Sequence, residues 1–157
     1  MSQAHKDAFE RIKIEHQAVC GLLTQGARKP VAGGFQPKDP STGAALSARD
    51  VMETAVATCN EAYALLLMAT AEGFLRRYLD SIGVDLGPEP KLSMLIDKCK
   101  KEFNDTDQRL PIHDNAAADL HNLRQQRNNY AHGHGTGVFP PVAAVVTRLG
   151  RFFAEIP

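Results

Sequence analysis

Between Met52 and Tyr78 the residues Met52, Val56, Cys59, Tyr63, Leu66, Thr70, Phe74 and Tyr78 recur every three or four positions, and the pattern stops at Ile82-Gly83. That spacing predicts one long amphipathic helix. Ser47 followed by Asp50 supplies a capping-box start for it. At ~1.5 Å per residue such a helix extends roughly 50 Å, longer than a small domain is wide, so it should bend near Asn60 or Gly73 or leave an end protruding for dimer contacts. Around Ala62 to Ala71 both faces are apolar, which asks for more than one packing neighbour.

The remaining segments arrange themselves around that helix. Residues 1–24 carry an N-terminal helix with Phe9, Ile12, Val19 and Leu23 on one face, and His5 and His16 fall near the same stripe as partly buried, hydrogen-bonded groups. Residues 25–46 hold four glycines and three prolines and sustain neither helix nor strand, so they read as a flexible loop, disordered by default. No GxxxxGK[ST] occurs there, so Gly33-Gly34 makes no phosphate loop. From 47 to 157 the chain reads as a helical core. Gly87-Pro88-Glu89-Pro90 is a turn, with Pro90 opening a short helix that carries Leu92, Leu95, Ile96, Cys99 and Phe103. Lys98, Lys100 and Lys101 near its end complement the helix dipole. Pro111 and Asp114 introduce the next helix, which stops at Gly133. Pro140-Pro141 start the last one, with Val142, Val145, Val146, Leu149, Phe153 and Ile156 inward. Nothing alternates with period two for long, so the fold class is all-α, a single domain of about five bundled helices.

Eighteen basic and eighteen acidic side chains give zero formal net charge over 157 residues. Bulk charge therefore draws the chain to neither nucleic acid nor anionic lipid, and any phosphate recognition must be local. Cys20, Cys59 and Cys99 are far apart and form no CxxC pair, as expected of buried thiols in a reducing cytoplasm. The polar start, Met1 to Glu10, lacks an apolar leader, and no apolar run approaches the ~20 residues of a membrane span. The expectation is a soluble, cytoplasmic protein with no membrane partner.

The sharpest local anomaly is Arg127. The inward stripe of its helix runs Ala116, Leu120, Leu123, Arg127, Tyr130, so a guanidinium stands where burial predicts leucine. Arg124, Asn128 and His132 follow at i, i+4 and i+8 as one polar stripe, in which Asn128 can reach the ring of His132. Arg127 lies beside that stripe. Five positions place it about 140° around the axis from His132, so the two converge only if the helix unwinds at Gly133 or a second subunit completes the pair.

These residue types suit phosphodiester chemistry. An imidazole can take a proton from a ribose 2′-hydroxyl or return one to a leaving 5′-oxygen, while a guanidinium holds the charge that grows on phosphate. The 2′-hydroxyl is an internal nucleophile, so no metal or cofactor is required, and the products carry 2′,3′-cyclic phosphate and 5′-hydroxyl ends. Arg127-Asn128-Asn129-Tyr130-Ala131-His132 near the end of a late helix in an all-helical domain resembles the Arg-x4-6-His pattern of the HEPN superfamily. That resemblance implies a dimeric, metal-independent endoribonuclease acting on RNA, often a toxin or anti-phage effector, with a composite site between protomers and an antitoxin or regulatory protein as a further partner. It also implies that Arg127 and His132 are catalytic, that Asn128 orients or polarises them, and that Tyr130 stacks or helps form the dimer surface.

Several assignments stay open at this level. His134 also satisfies the spacing from Arg127 and is an alternate base. His132-Gly133-His134 suggests a metal site only weakly, because no cysteine or carboxylate stands nearby at ligand spacing, and no metal is assigned. Glu72 is a second charge set in an apolar helix, either a partner for Arg127 or Arg124, or a solvated neighbour of Arg76. Arg76, Arg77 and Arg124 are candidate phosphate contacts or surface charges. If Arg127 only lays its stem on the core and His132 only complements a helix dipole, the chain is instead a non-catalytic helical dimer that binds a partner protein or nucleotide.

Overall fold

The computed structural model describes residues 3–26, 38–104, 114–131 and 139–156. Five helices lie among them: α1 (Gln3–Gly26), α2 (Ala48–Ser81), α3 (Leu92–Asn104), α4 (Asp114–Ala131) and α5 (Val142–Ala154). The one strand-like pairing among the described residues is an isolated bridge between Lys38 and Ala45. The fold is an all-α bundle.

The long helix α2 begins where the sequence says it should. Ser47 is its N-cap, accepting the Asp50 N–H on its hydroxyl at 3.1 Å while the Asp50 carboxylate accepts the Ser47 N–H at 3.2 Å. At the far end Gly83 takes the left-handed conformation, φ 79°, and the Val84 N–H turns back onto the Leu79 carbonyl at 3.0 Å. Between these signals α2 packs against α1, α3 and α5, while α4 packs against α3 and α5. The need for several neighbours explains apolar residues on more than one face.

Those neighbours also shift which face lies deepest. The fully enclosed α2 residues are Ala64, Leu67, Met68, Ala71, Phe74, Leu75 and Leu79, whereas Leu66, on the expected stripe, stays 46% exposed and Thr70 is only half-buried. In a segment apolar all round, spacing alone does not choose a face; the converging helices α3 and α5 do. They bring in Leu92, Leu95, Ile96 and Cys99 from α3, and Val142, Val145, Leu149, Phe152 and Phe153 from α5, with Leu120 and Leu123 of α4 closing the core. Enclosing each such side chain contributes about 1.5–3 kcal/mol. By contrast Ile12 is the only fully inserted side chain among the described residues of α1, with Phe9 resting on Phe153 at a ring separation of 5.7 Å.

Smaller departures have local causes. α1 continues through Gly21 to Gly26, because its contact with α2 outweighs the helix penalty of one glycine. Pro90 precedes α3 rather than opening it, and its carbonyl accepts from Arg76 Nη2 at 3.5 Å. Lys98 donates to the Asp85 carbonyl in the preceding loop instead of serving the end of its helix. Within the glycine- and proline-rich region, Asp39 organises a tight turn by accepting the Ser41 N–H at 2.7 Å and the Ser41 hydroxyl at 2.6 Å, with Gly43 at φ 70°. The rest of that region, residues 27–37, and the side chains of His5, Lys101 and Phe103 lie outside the described set. No helix among the described residues is long and apolar enough to cross a membrane.

Candidate functional site: a cationic cleft between α2, α3 and α4

Two polar links hold α4 between its neighbours: His121 meets Asp97 of α3 at 3.0 Å, and Arg151 of α5 meets Asp119 at 3.7 Å. Along α4 the residues Ala116, Leu120 and Leu123 are buried, as their spacing requires, and the next position is Arg127. Its guanidinium escapes the core sideways. Nη1 donates to Glu72 Oε2 of α2 at 3.0 Å, and Nη2 donates to the side-chain oxygen of Asn128 at 3.4 Å. The two charged side chains retain 28% and 25% of their exposure, so the pair is half-buried, between an exposed and a buried ion pair. The second Glu72 oxygen lies 3.9 Å from Arg76 Nη2, a looser and wetter contact one turn along α2. Glu72 thus meets both Arg127 and Arg76, and Asn128 turns its oxygen toward Arg127.

Arg127 opens onto a cleft of about 290 Å³. Glu72 supplies one wall; Arg124, Arg127 and Asn128 of α4 supply another; Pro90, Lys91, Leu92 and Ser93 at the start of α3 form the third. Arg124, Arg127 and Asn128 stand at i, i+3 and i+4, so a continuous helix presents all three to one side. Three cations face one carboxylate in this small space. Arg124 Nε is buried and has no hydrogen-bond partner among the described residues. The Leu95 N–H is bonded to the Lys91 carbonyl at 3.1 Å, so the N–H groups of Leu92, Ser93 and Met94 precede the first bond of the helix and reinforce the positive potential. A phosphate-sized anion fits both the volume and the charge.

Tyr130 sits one turn beyond Arg127 and is occupied within the chain. Its hydroxyl donates to Glu61 Oε2 of α2 at 2.5 Å, and its ring stands edge-on to Phe139 at 5.9 Å. Bonding to the Glu61 carboxylate, then burial, raises its pKa above the ordinary phenol value. His132 and His134 lie outside the described residues; α4 is described to Ala131, the residue before His132. Among the described residues no group of three or more histidine, cysteine or acidic side chains could hold a metal ion.

Lys91, Ser93 and Glu61 are the participants that sequence reasoning missed. For Lys91 a signal existed: a lysine immediately before a helix puts a cation at the positive end of the dipole and offers no capping oxygen, a placement as contrary to local preference as Arg127. Ser93 and Glu61 carry no such mark. Fold and site together define a helical bundle bearing a cationic cleft. Compared with protein-family models, curated proteins and solved structures, the chain finds no match in any of the three.

Proposed function

We propose that this chain is a HEPN-like, metal-independent endoribonuclease in which Arg127 holds the scissile phosphate and His132 transfers the proton. The observation that supports it most is the convergence of Arg127, Arg124 and Lys91 on one small cleft, with Glu72 and Asn128 fixing the Arg127 fork. Fixing the fork beforehand leaves little reorganisation for the moment when charge grows on the phosphate. With an RNA phosphate seated against Arg127 and Arg124, the neighbouring 2′-hydroxyl is reached by His132, from an unwound end of the helix or from the second subunit, or by His134 as the alternate base. The imidazole takes the hydroxyl proton, the 2′-oxygen attacks phosphorus, and the 5′-oxygen leaves with a proton from an imidazolium. The products are a 2′,3′-cyclic phosphate and a 5′-hydroxyl, and no cofactor enters. Pairing of two copies about a two-fold axis doubles the set of Arg127 and His132 in one groove. Such an enzyme acts in the cytoplasm as a toxin or defence effector, restrained by an antitoxin or regulatory protein.

A second reading draws on the Arg127–Glu72 bond. A guanidinium already matched by a carboxylate can serve as a structural tie, leaving a non-catalytic helical dimer that binds a partner protein or nucleotide in the same cleft. Purified protein incubated with tRNA and total RNA in EDTA separates the two. Cleavage that disappears in both Arg127→Ala and His132→Ala, while light scattering still reports a dimer, is the outcome expected of the nuclease. Wild-type protein that leaves every RNA intact, or that scatters as a monomer at micromolar concentration, removes it.

A further inference from the structure

Away from the cleft, Cys20 of α1 and Cys59 of α2 bring their sulfur atoms to 3.8 Å although 39 positions separate them. Both are half-buried free thiols, within reach of a small solute. One turn before Cys20, His16 places Nε2 at 3.4 Å from the Cys20 sulfur and 2.6 Å from the Asn60 side-chain oxygen. The ring nitrogen thus lies between the Asn60 oxygen and the Cys20 sulfur, within hydrogen-bond reach of both. The Tyr63 ring, edge-on at 5.4 Å, holds the imidazole in place. His16 thus sets a polar group against the Cys20 sulfur, where charge changes as that sulfur attacks an electrophile. At Cys59, burial and the Cys20 neighbour raise the thiol above the ordinary value. Cys99, enclosed in the core and pushed up to about 12 by burial, is set apart from this chemistry.

We propose that Cys20 and Cys59 are a reversible dithiol–disulfide site that staples α1 to α2, with Cys20 as the thiol that reacts first with a hydroperoxide. The Cys20 thiolate attacks the peroxide oxygen, which becomes the sulfenic oxygen as the O–O bond breaks and the leaving alkoxide or hydroxide takes a proton. The Cys59 thiol then attacks that sulfur, forming the S–S bond and releasing water. Two thiols are oxidised by two electrons as one hydroperoxide is reduced. A disulfide is about 2.05 Å long, so the sulfurs must close from 3.8 Å as the bond forms. The consequence falls on α1, which among its described side chains contributes only Ile12 to the fully buried core and so gains most from a covalent tie.

The test uses the full chain, reduced and then exposed to hydrogen peroxide at micromolar protein. Intact mass should fall by two hydrogens, a non-reducing digest should join the Cys20 and Cys59 peptides, and dithiothreitol should reverse both. The thermal midpoint should rise by roughly 5–10 °C on oxidation. In Cys59→Ser the sulfenic acid at Cys20 should be trapped by dimedone; Cys99→Ser should leave the cross-link unchanged. His16→Gln should slow trapping and alter the pH dependence of Cys20 alkylation while the final disulfide still forms, which marks His16 as a positioning residue. Thiols at 20 and 59 that both still react with maleimide after peroxide, or oxidation that only joins separate chains, overturns the proposal. A disulfide that forms without raising the midpoint overturns the stapling role.

Discussion

Arg127 occupies a core-facing position of α4 yet keeps its charge near water, and the side chain that permits this is Glu72. Removing one partner leaves the other half-buried and unmatched, so Glu72→Ala should cost about 1–2 kcal/mol, between the values for exposed and for buried pairs. Urea unfolding measures it; a change within a few tenths of a kcal/mol means the pair is already screened. Lys91 makes the opposite case, a residue whose place works against stability. Lys91→Asp exchanges an unfavourable cation for a capping oxygen and should stabilise the fold by about 1 kcal/mol. If the cleft receives phosphate, the same change weakens RNA binding. Thermal melts and filter binding at two salt concentrations read both effects, and unaltered RNA binding would separate Lys91 from the site.

At the scale of elements, the capping box decides where α2 starts. The Ser47 hydroxyl and backbone N–H hold the Asp50 carboxyl below its ordinary value of 3.8 because both bonds favour the ionised form. A depressed folded-state pKa stabilises the fold above the unfolded value and is lost as pH falls through the folded one. The first turn of α2 should therefore loosen as pH falls below the ordinary carboxylate value, seen as faster exchange of the Asp50 amide. Ser47→Ala should cost about 1 kcal/mol and abolish that acid step. An identical acid response in Ser47→Ala would mean that another carboxylate governs it. Helix starts and stops of this kind were legible in sequence because their signals lie within four residues of one another. Pro90 misled for the same reason: helix propensity there yielded to the contact its carbonyl makes with Arg76.

Taken as a whole, the molecule is unevenly consolidated. α2, α3, α4 and α5 share a core that includes Leu67, Leu95, Leu120 and Phe152, whereas α1 contributes a single fully buried residue among those described and exposes Ile14 and Leu22. Local opening follows the density of buried contacts. Under reducing conditions the α1 amides should thus exchange faster than those of α2 around Leu67 to Leu75, by on the order of tenfold or more. Equal protection across the two helices would show that α1 belongs to the same cooperative unit as the bundle.

The helical class, the helix order and the oddity of Arg127 were written in the chain, because periodicity, caps and broken stripes are matters of near neighbours. Which face of α2 goes deepest, that Glu72 rather than solvent answers Arg127, that Lys91 shares its cleft, and that Cys20 meets Cys59 became settled only when distant helices packed. Those pairings join residues far apart along the chain, and no local spacing encodes a contact whose two halves are brought together by burying the apolar surface between them.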